Sequence, residues 1–214
     1  MTIDIIINAL LMLVVTVDPI GNVPLFIGLT KGMHAAERRR IARRGTLIAF
    51  ALLSLFAITG SGVLDLMGIT LPAFRVAGGL LLFYLAFEML YGHRQERRAK
   101  ASDAATRDHI ANIAVFPLAI PLLAGPGTIS ATVLLSDSLG NTWPEARWMG
   151  LLVLLGLIAA VMLVAATVLS LSNIVDRLIG ETGRLIMTRL LGVLLAALSV
   201  QFVADGITAM IAAA

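Results

Sequence analysis

The chain reads as an all-α membrane protein. Six transmembrane helices form two inverted three-helix repeats, with helices 1 and 4 broken. Three observations carry that reading. The 214 residues are 59% hydrophobic and only 14% charged, with a mean hydropathy of +0.96. A soluble domain is about half apolar and about a quarter charged. Apolar runs close to the roughly 20 residues that a span needs recur along the whole chain. The first and the fourth of them are interrupted by proline and glycine.

Span 1 covers residues 5–30 and contains Asp18. It lacks a basic leading region and a small-x-small cleavage pattern, so it reads as a retained helix and not a cleaved signal peptide. Span 2 (46–64) and span 5 (148–175) are uncharged. Span 3 (72–91) carries Arg75 and Glu88, and span 6 (189–211) carries Asp205. Span 4 (110–136) holds Pro117, Pro121 and the Gly125-Pro126-Gly127 break.

The spans form one transmembrane domain over residues 1–214. Repeat 1 runs to about 92, a cytoplasmic connection covers about 93–109, and repeat 2 covers about 110–214. With three spans per half, equivalent spans cross in opposite directions. Internal likeness supports the division: Arg75-x-x-Gly78 matches Arg189-x-x-Gly192, Asp65 and Gly68 match Asp176 and Gly180, and Pro19 aligns with Pro126. Gly78, Gly79 and Gly192 read first as packing positions, because small residues let helices approach closely.

Fourteen of the sixteen basic residues fall in odd-numbered connections. The first holds Lys31, Arg38, Arg39, Arg40, Arg43 and Arg44. The third holds Arg94, Arg97, Arg98, Lys100 and Arg107, and the fifth holds Arg177, Arg184 and Arg189. The positive-inside rule places these connections in the cytoplasm and both termini outside. An interfacial helix on anionic lipid is an alternative reading of the 31–44 run, but orientation alone accounts for it. The net charge of +3 then calls for no nucleic-acid partner. With no cysteine, disulfides and thiolate chemistry are excluded.

Backbone loosened at membrane depth survives only where it is buried in protein or lines a cavity. Two such breaks, one per repeat, point to a transporter's central site. Proline fixes φ and lacks an N–H, so it suits the first turn of a helix. Asp18-Pro19 therefore reads as an N-cap and first turn of a half-helix running to about Thr30, and Gly125-Pro126 as the start of another. Asp18 lies about 20 Å along the helix from Ile5, inside a core about 30 Å thick. Re-entrant hairpins would change the span count and spoil the charge asymmetry.

The substrate-binding residues expected from the breaks are Asp18, Pro19, Gly21, Asn22, Gly125, Pro126, Gly127, Thr128 and Ser130. Helix N-termini attract a carboxylate. Asn22, Thr128 and Ser130 add neutral hydrogen-bonding groups, and the glycines admit a ligand close to the backbone. Asp18 suits an ammonium group or a proton, since intramembrane carboxylates are expensive and by default functional. The plain alternative is that Asp18 only caps and the prolines only kink. Asp18 is the first candidate for ion coupling and Glu88 the second, although Glu88 also sits where it could reach the interface. Arg75 and Asp205 read as outer-surface residues, and Ser199 and Gln201 as mid-span groups of span 6.

Three stretches resemble the MarC family of bacterial and archaeal membrane proteins. They are Asp18-Pro19-Ile20-Gly21-Asn22-Val23-Pro24-Leu25-Phe26, the span 4 segment from Pro117 through Gly125-Pro126-Gly127-Thr128-Ile129-Ser130, and the closing Gly192-Val193-Leu194-Leu195 run continuing to Phe202. The likeness covers essentially the whole chain and is most specific in span 4. It implies six spans, a prokaryotic cytoplasmic (inner) membrane location and transport of neutral amino acids.

The expected function is thus secondary transport of small neutral amino acids such as glycine or alanine, by alternating access and coupled to protons or sodium. The bilayer is the surrounding partner, no cofactor is called for, and a homo-oligomer is left open. No G-x-x-x-x-G-K-[ST] loop occurs, so energy would come from an ion gradient or another chain. The alternative is a channel or an efflux protein for other solutes or drugs. Aromatics at 6% argue against a large drug site. An intramembrane enzyme ranks behind both, because His34, His93 and His109 fall in connections without metal-ligand spacing.

Overall fold

The computed structural model describes residues 2–91 and 113–212, all of the regular structure being helical. The expected third connection, with His93, His109 and its five basic residues, lies outside the described residues. The described residues form seven α-helices in order: α1 (Thr2–Val17), α2 (Val23–Leu29), α3 (Ala35–Leu66), α4 (Leu71–Tyr91), α5 (Pro126–Thr142), α6 (Arg147–Ser170) and α7 (Ser172–Ala212). A wide, irregular helical segment, Ala114–Leu123, precedes α5.

Among the described residues, four helices are long and apolar enough to cross a membrane: α3, α4, α6 with the short turn before it, and α7. The Ala114–Leu123 segment and α5 make a fifth crossing if taken together, bent by 59° at their junction. The α1 helix has 16 residues, about 24 Å, shorter than a full span. Four or five spans are therefore explicit where six were expected, the difference residing in the first broken pair, α1 and α2.

Helix α3 corrects the first connection. The basic run is no separate interfacial segment, because Arg38 to Arg44 lie in the opening turns of one 32-residue helix. The His34 N–H bonds Glu37 at 3.1 Å in a capping box that starts the helix there. The connection shrinks to residues 30–34. Beyond the last turn of α3, Gly68 takes φ +70°, the left-handed conformation that glycine adopts without steric cost. The Ile69 N–H then returns to the Leu64 carbonyl at 2.9 Å and closes the helix. Helix α7 extends further back than the expected sixth span and kinks at Gly180, also left-handed, with Asp176 and Arg184 paired across the kink.

Packing sets the directions. A Cβ on Gly79 would meet the Ser199 carbonyl at 3.0 Å, one on Gly206 the Pro72 carbonyl at 3.0 Å, and one on Gly192 the Met89 Cβ at 3.1 Å. Numbers rise on α4 as they fall on α7, so this extensive pair is antiparallel and glycine-seamed. Helices α3 and α6 are antiparallel too. The Arg38 guanidinium bonds Ser172 and Asn173 at one end, and Asp65 shares a cleft with Arg147 at the other.

The Pro-rich segment and α5 run alongside α3. A Cβ on Gly45 would lie 3.2 Å from the Ala114 carbonyl, one on Gly60 would meet Val133, and the Ser136 hydroxyl donates to Ala57 at 2.7 Å. From Gly45 to Asp65 is about 30 Å of helix. The second break thus interrupts a chain that passes from one face of the bundle to the other, and is no re-entrant hairpin.

Candidate functional site

The second break forms as local rules require. Residues before proline are pushed out of the helical region. Accordingly, Phe116 (φ −129°, ψ 124°) and Ile120 (φ −122°, ψ 122°) are extended ahead of Pro117 and Pro121. Gly125 (φ −81°, ψ 169°) then caps α5 with Pro126 in its first turn, as expected, and no side chain caps the helix. A Cβ on Gly127 would meet Leu85 at 3.0 Å, and one on Gly78 would meet Leu134 at 3.1 Å. The helix therefore opens near the middle of α4. Thr128 and Ser130 are buried in its first turns, while Pro126 is exposed.

The first break differs from expectation in its cap. Asp18 is no N-cap of a helix beginning at Pro19. It takes φ +50° and ends α1, its N–H still bonded to the Val14 carbonyl at 2.9 Å. A turn through Pro19, Ile20 and Gly21 follows, and α2 begins only at Val23, with Asn22 as its cap and Pro24 as its first-turn proline. Left-handed backbone is tolerated by Asp because its short side chain bonds locally, and the Asp18 carboxylate accepts the Gly21 N–H at 3.0 Å. Gly21 is obligatory, since a Cβ there would fall on the carboxylate, 2.6 Å from its Cγ. At seven residues, α2 is also too short to supply the dipole expected of it.

Asn22 is the distinctive residue. It is fully buried, and its Nδ2 donates to the Val17 carbonyl at 2.9 Å, closing the end of α1. That bond fixes the amide's orientation and leaves Oδ1 with no hydrogen-bond partner. A buried acceptor without a donor costs about 1–3 kcal/mol. Buried hydroxyls nearby answer their own needs in the usual way: Thr16 donates to Met12, Thr30 to Phe26 and Thr132 to Thr128, each one turn back. Asp18 is likewise buried, 2% exposed. The turn thus places a buried carboxylate four residues from a buried, donor-seeking carbonyl oxygen.

Glu88 is buried in α4 at 6% exposure. Gln201 is exposed and donates to Asp205 at 2.8 Å within α7, while Ser199 is buried and donates to the Leu195 carbonyl. Arg75 pairs with Asp137, 3.0 Å away, and not with Asp205. Asp137 also faces Arg147 at 3.8 Å and accepts from Asn141 at 3.0 Å. This cluster, at the rim of a cleft of about 450 Å³ between α3, α5 and α6, escaped sequence reasoning. Its members lie far apart in the chain, and no local spacing joins them.

A multi-pass helical bundle with apolar spans, interrupted in its interior by two Pro/Gly breaks, defines an integral membrane protein. The family described as "MarC family integral membrane protein" matches residues 3–211, and the chain belongs to it. It is 38% identical over 204 residues to a "UPF0056 membrane protein" of Aquifex aeolicus, covering 94% of this chain and 91% of that one. The corresponding protein of Archaeoglobus fulgidus is 36% identical over 197 residues, covering 91% and 88%. The "UPF0056 inner membrane protein MarC" of Escherichia coli is 33% identical over 208 residues, covering 94% and 93%. No solved structure matches the chain.

Proposed function

We propose that this protein is a secondary transporter of small neutral amino acids, glycine- or alanine-like, working by alternating access. One observation carries the reading: Asn22 Oδ1, buried and unpartnered, four residues from the buried Asp18 carboxylate. An open carbonyl oxygen beside a buried carboxylate suits a donor that carries several N–H groups and a positive charge, as an ammonium does. The uncapped first turn of α5, with the N–H groups of Gly127 and Thr128, suits a carboxylate. A zwitterion without a charged side chain answers both. Asp18 is also the first choice for carrying a coupling proton or binding sodium, with the buried Glu88 second.

The two inverted three-helix repeats belong to this proposal, with α1 and α2 as the first broken span and both termini outside. Three packings support it. α1 packs against α5, α3 against α6, and α4 against α7, each joining spans that the repeats would make equivalent. The reading is of a carrier and not of an enzyme.

The test is uptake of radiolabelled L-alanine into liposomes containing the purified protein under an imposed proton or sodium gradient. Saturable, stereoselective uptake that Asp18→Asn abolishes is expected. Folded protein giving no uptake above empty liposomes overturns the amino acid reading and favours a channel or an efflux protein.

A further inference from the structure

On α3, Arg39, Arg40, Arg43 and Arg44 all stand exposed within two turns. Arg39 and Arg43 are four apart, as are Arg40 and Arg44, so like charges face one another along the helix, a destabilising arrangement. No acidic side chain among the described residues pairs with them: Glu37 is engaged in the capping box. Arg38 turns away to Ser172 and Asn173, its guanidinium also 5.8 Å from the Phe26 ring centroid. Among the described residues the four arginines therefore have no acidic partner.

They line one exposed face of α3 that runs from Ala36 to Leu47. Arg43 and Leu47 belong at the same time to a groove of about 360 Å³ between α3 and α6. Thr46 and Phe50 continue it on α3, opposite Ala159, Met162, Leu163 and Ala166 on α6. The α6 residues are spaced i, i+3, i+4, i+7, one helix face, and its two alanines make the hollow. A basic helix face thus leads into an apolar groove about 10 Å long, running from Arg43 to Phe50 towards the middle of the bundle.

We propose that this composite site binds an anionic phospholipid, the arginines holding the phosphate and the groove holding an acyl chain. The charge selects the headgroup, and the shared Arg43 and Leu47 make headgroup and chain one ligand. Clusters of arginine beside the end of a membrane helix attract anionic lipid headgroups, at about 1 kcal/mol per basic residue. The site lies apart from the broken helices and does not depend on the transport reading.

Native mass spectrometry of the detergent-purified full chain provides the test, with phosphatidylglycerol and phosphatidylcholine of identical chains as probes. Phosphatidylglycerol should bind in preference. Arg43→Gln should weaken it roughly fivefold, about the effect of one arginine at a membrane surface, and Arg43→Lys should restore most of the loss. Ala159→Leu with Ala166→Leu fills the groove and should weaken binding while leaving the arginines in place. Glycerophosphate, which lacks chains, should not compete. Equal binding of the two lipids, indifference to both the Arg43 and the groove variants, or full competition by glycerophosphate would overturn the proposal, the last pointing to a plain phosphate site. Thermal unfolding of each variant without lipid separates lost binding from lost fold.

Discussion

Gly21 holds a position where one methyl group decides the geometry of the first break. A Cβ there collides with the Asp18 carboxylate, which is pinned by the Gly21 N–H and by the left-handed turn of its own backbone. Gly21→Ala must push the carboxylate aside, and we expect it to cost about 1–3 kcal/mol of stability and most of the L-alanine uptake. Asn22→Ala removes the donor that closes α1 at Val17, costing about 1 kcal/mol. It also removes Oδ1 and should abolish uptake even where the protein stays folded. Thermal unfolding in detergent beside the uptake assay checks both. Wild-type uptake by either variant would sever the break from transport. Gly125 and Pro126 were legible in the sequence because a capping residue followed by a first-turn proline is a purely local signal. Asp18 was misplaced because the same signal occurs twice in the first break, at Asp18-Pro19 and at Asn22-Val23-Pro24. Only the backbone turn through Gly21 shows which proline opens the helix.

At the level of elements, the α4–α7 pair depends on how near two backbones can come. A Cβ on Gly79 would lie 3.0 Å from the Ser199 carbonyl and 3.1 Å from the Val203 nitrogen, neither free to move without shifting α7. Gly62 and Gly156 have nothing within 4 Å. Gly79→Ala should therefore destabilise by about 1–3 kcal/mol through overpacking. Gly62→Ala should be neutral or gain about 0.5–1 kcal/mol, because alanine is the better helix former. Thermal unfolding of the two variants gives the comparison, and similar midpoints would dissolve the glycine seam. The sequence reading identified Gly79 and Gly192 as packing positions, yet it could not name their partners, since a small residue announces closeness and not with whom. Element limits were clear where a breaker stood, as near Thr30, and were lost where good helix formers continued. Arg38 to Arg44 extended α3 backwards for that reason.

Across the whole molecule, two faces can be told apart by contacts between distant residues. Arg38 meets Ser172 and Asn173 on one, and Arg75, Asp137 and Arg147 gather on the other. Those groupings put the first and fifth connections together and the second and fourth together, the alternation that charge counting required. The ion cluster itself was invisible in the sequence, because a pair separated by 62 positions leaves no local trace. Which face meets the cytoplasm is a question of charge against the bilayer. The face with Lys31 and α3's arginines should be inside, since a short basic connection resists translocation. The chain has no cysteine, so single introduced thiols report without background. Glu145→Cys, in the exposed turn before α6, should react with a membrane-impermeant maleimide on intact cells. Lys31→Cys, exposed between α2 and α3, should react only after permeabilisation. The reverse pattern would invert the topology and place the arginine face in the outer leaflet. Labelling of both from outside would mean that the two faces do not lie on opposite sides of the membrane, and with that the inverted repeat and its alternating access would fall together.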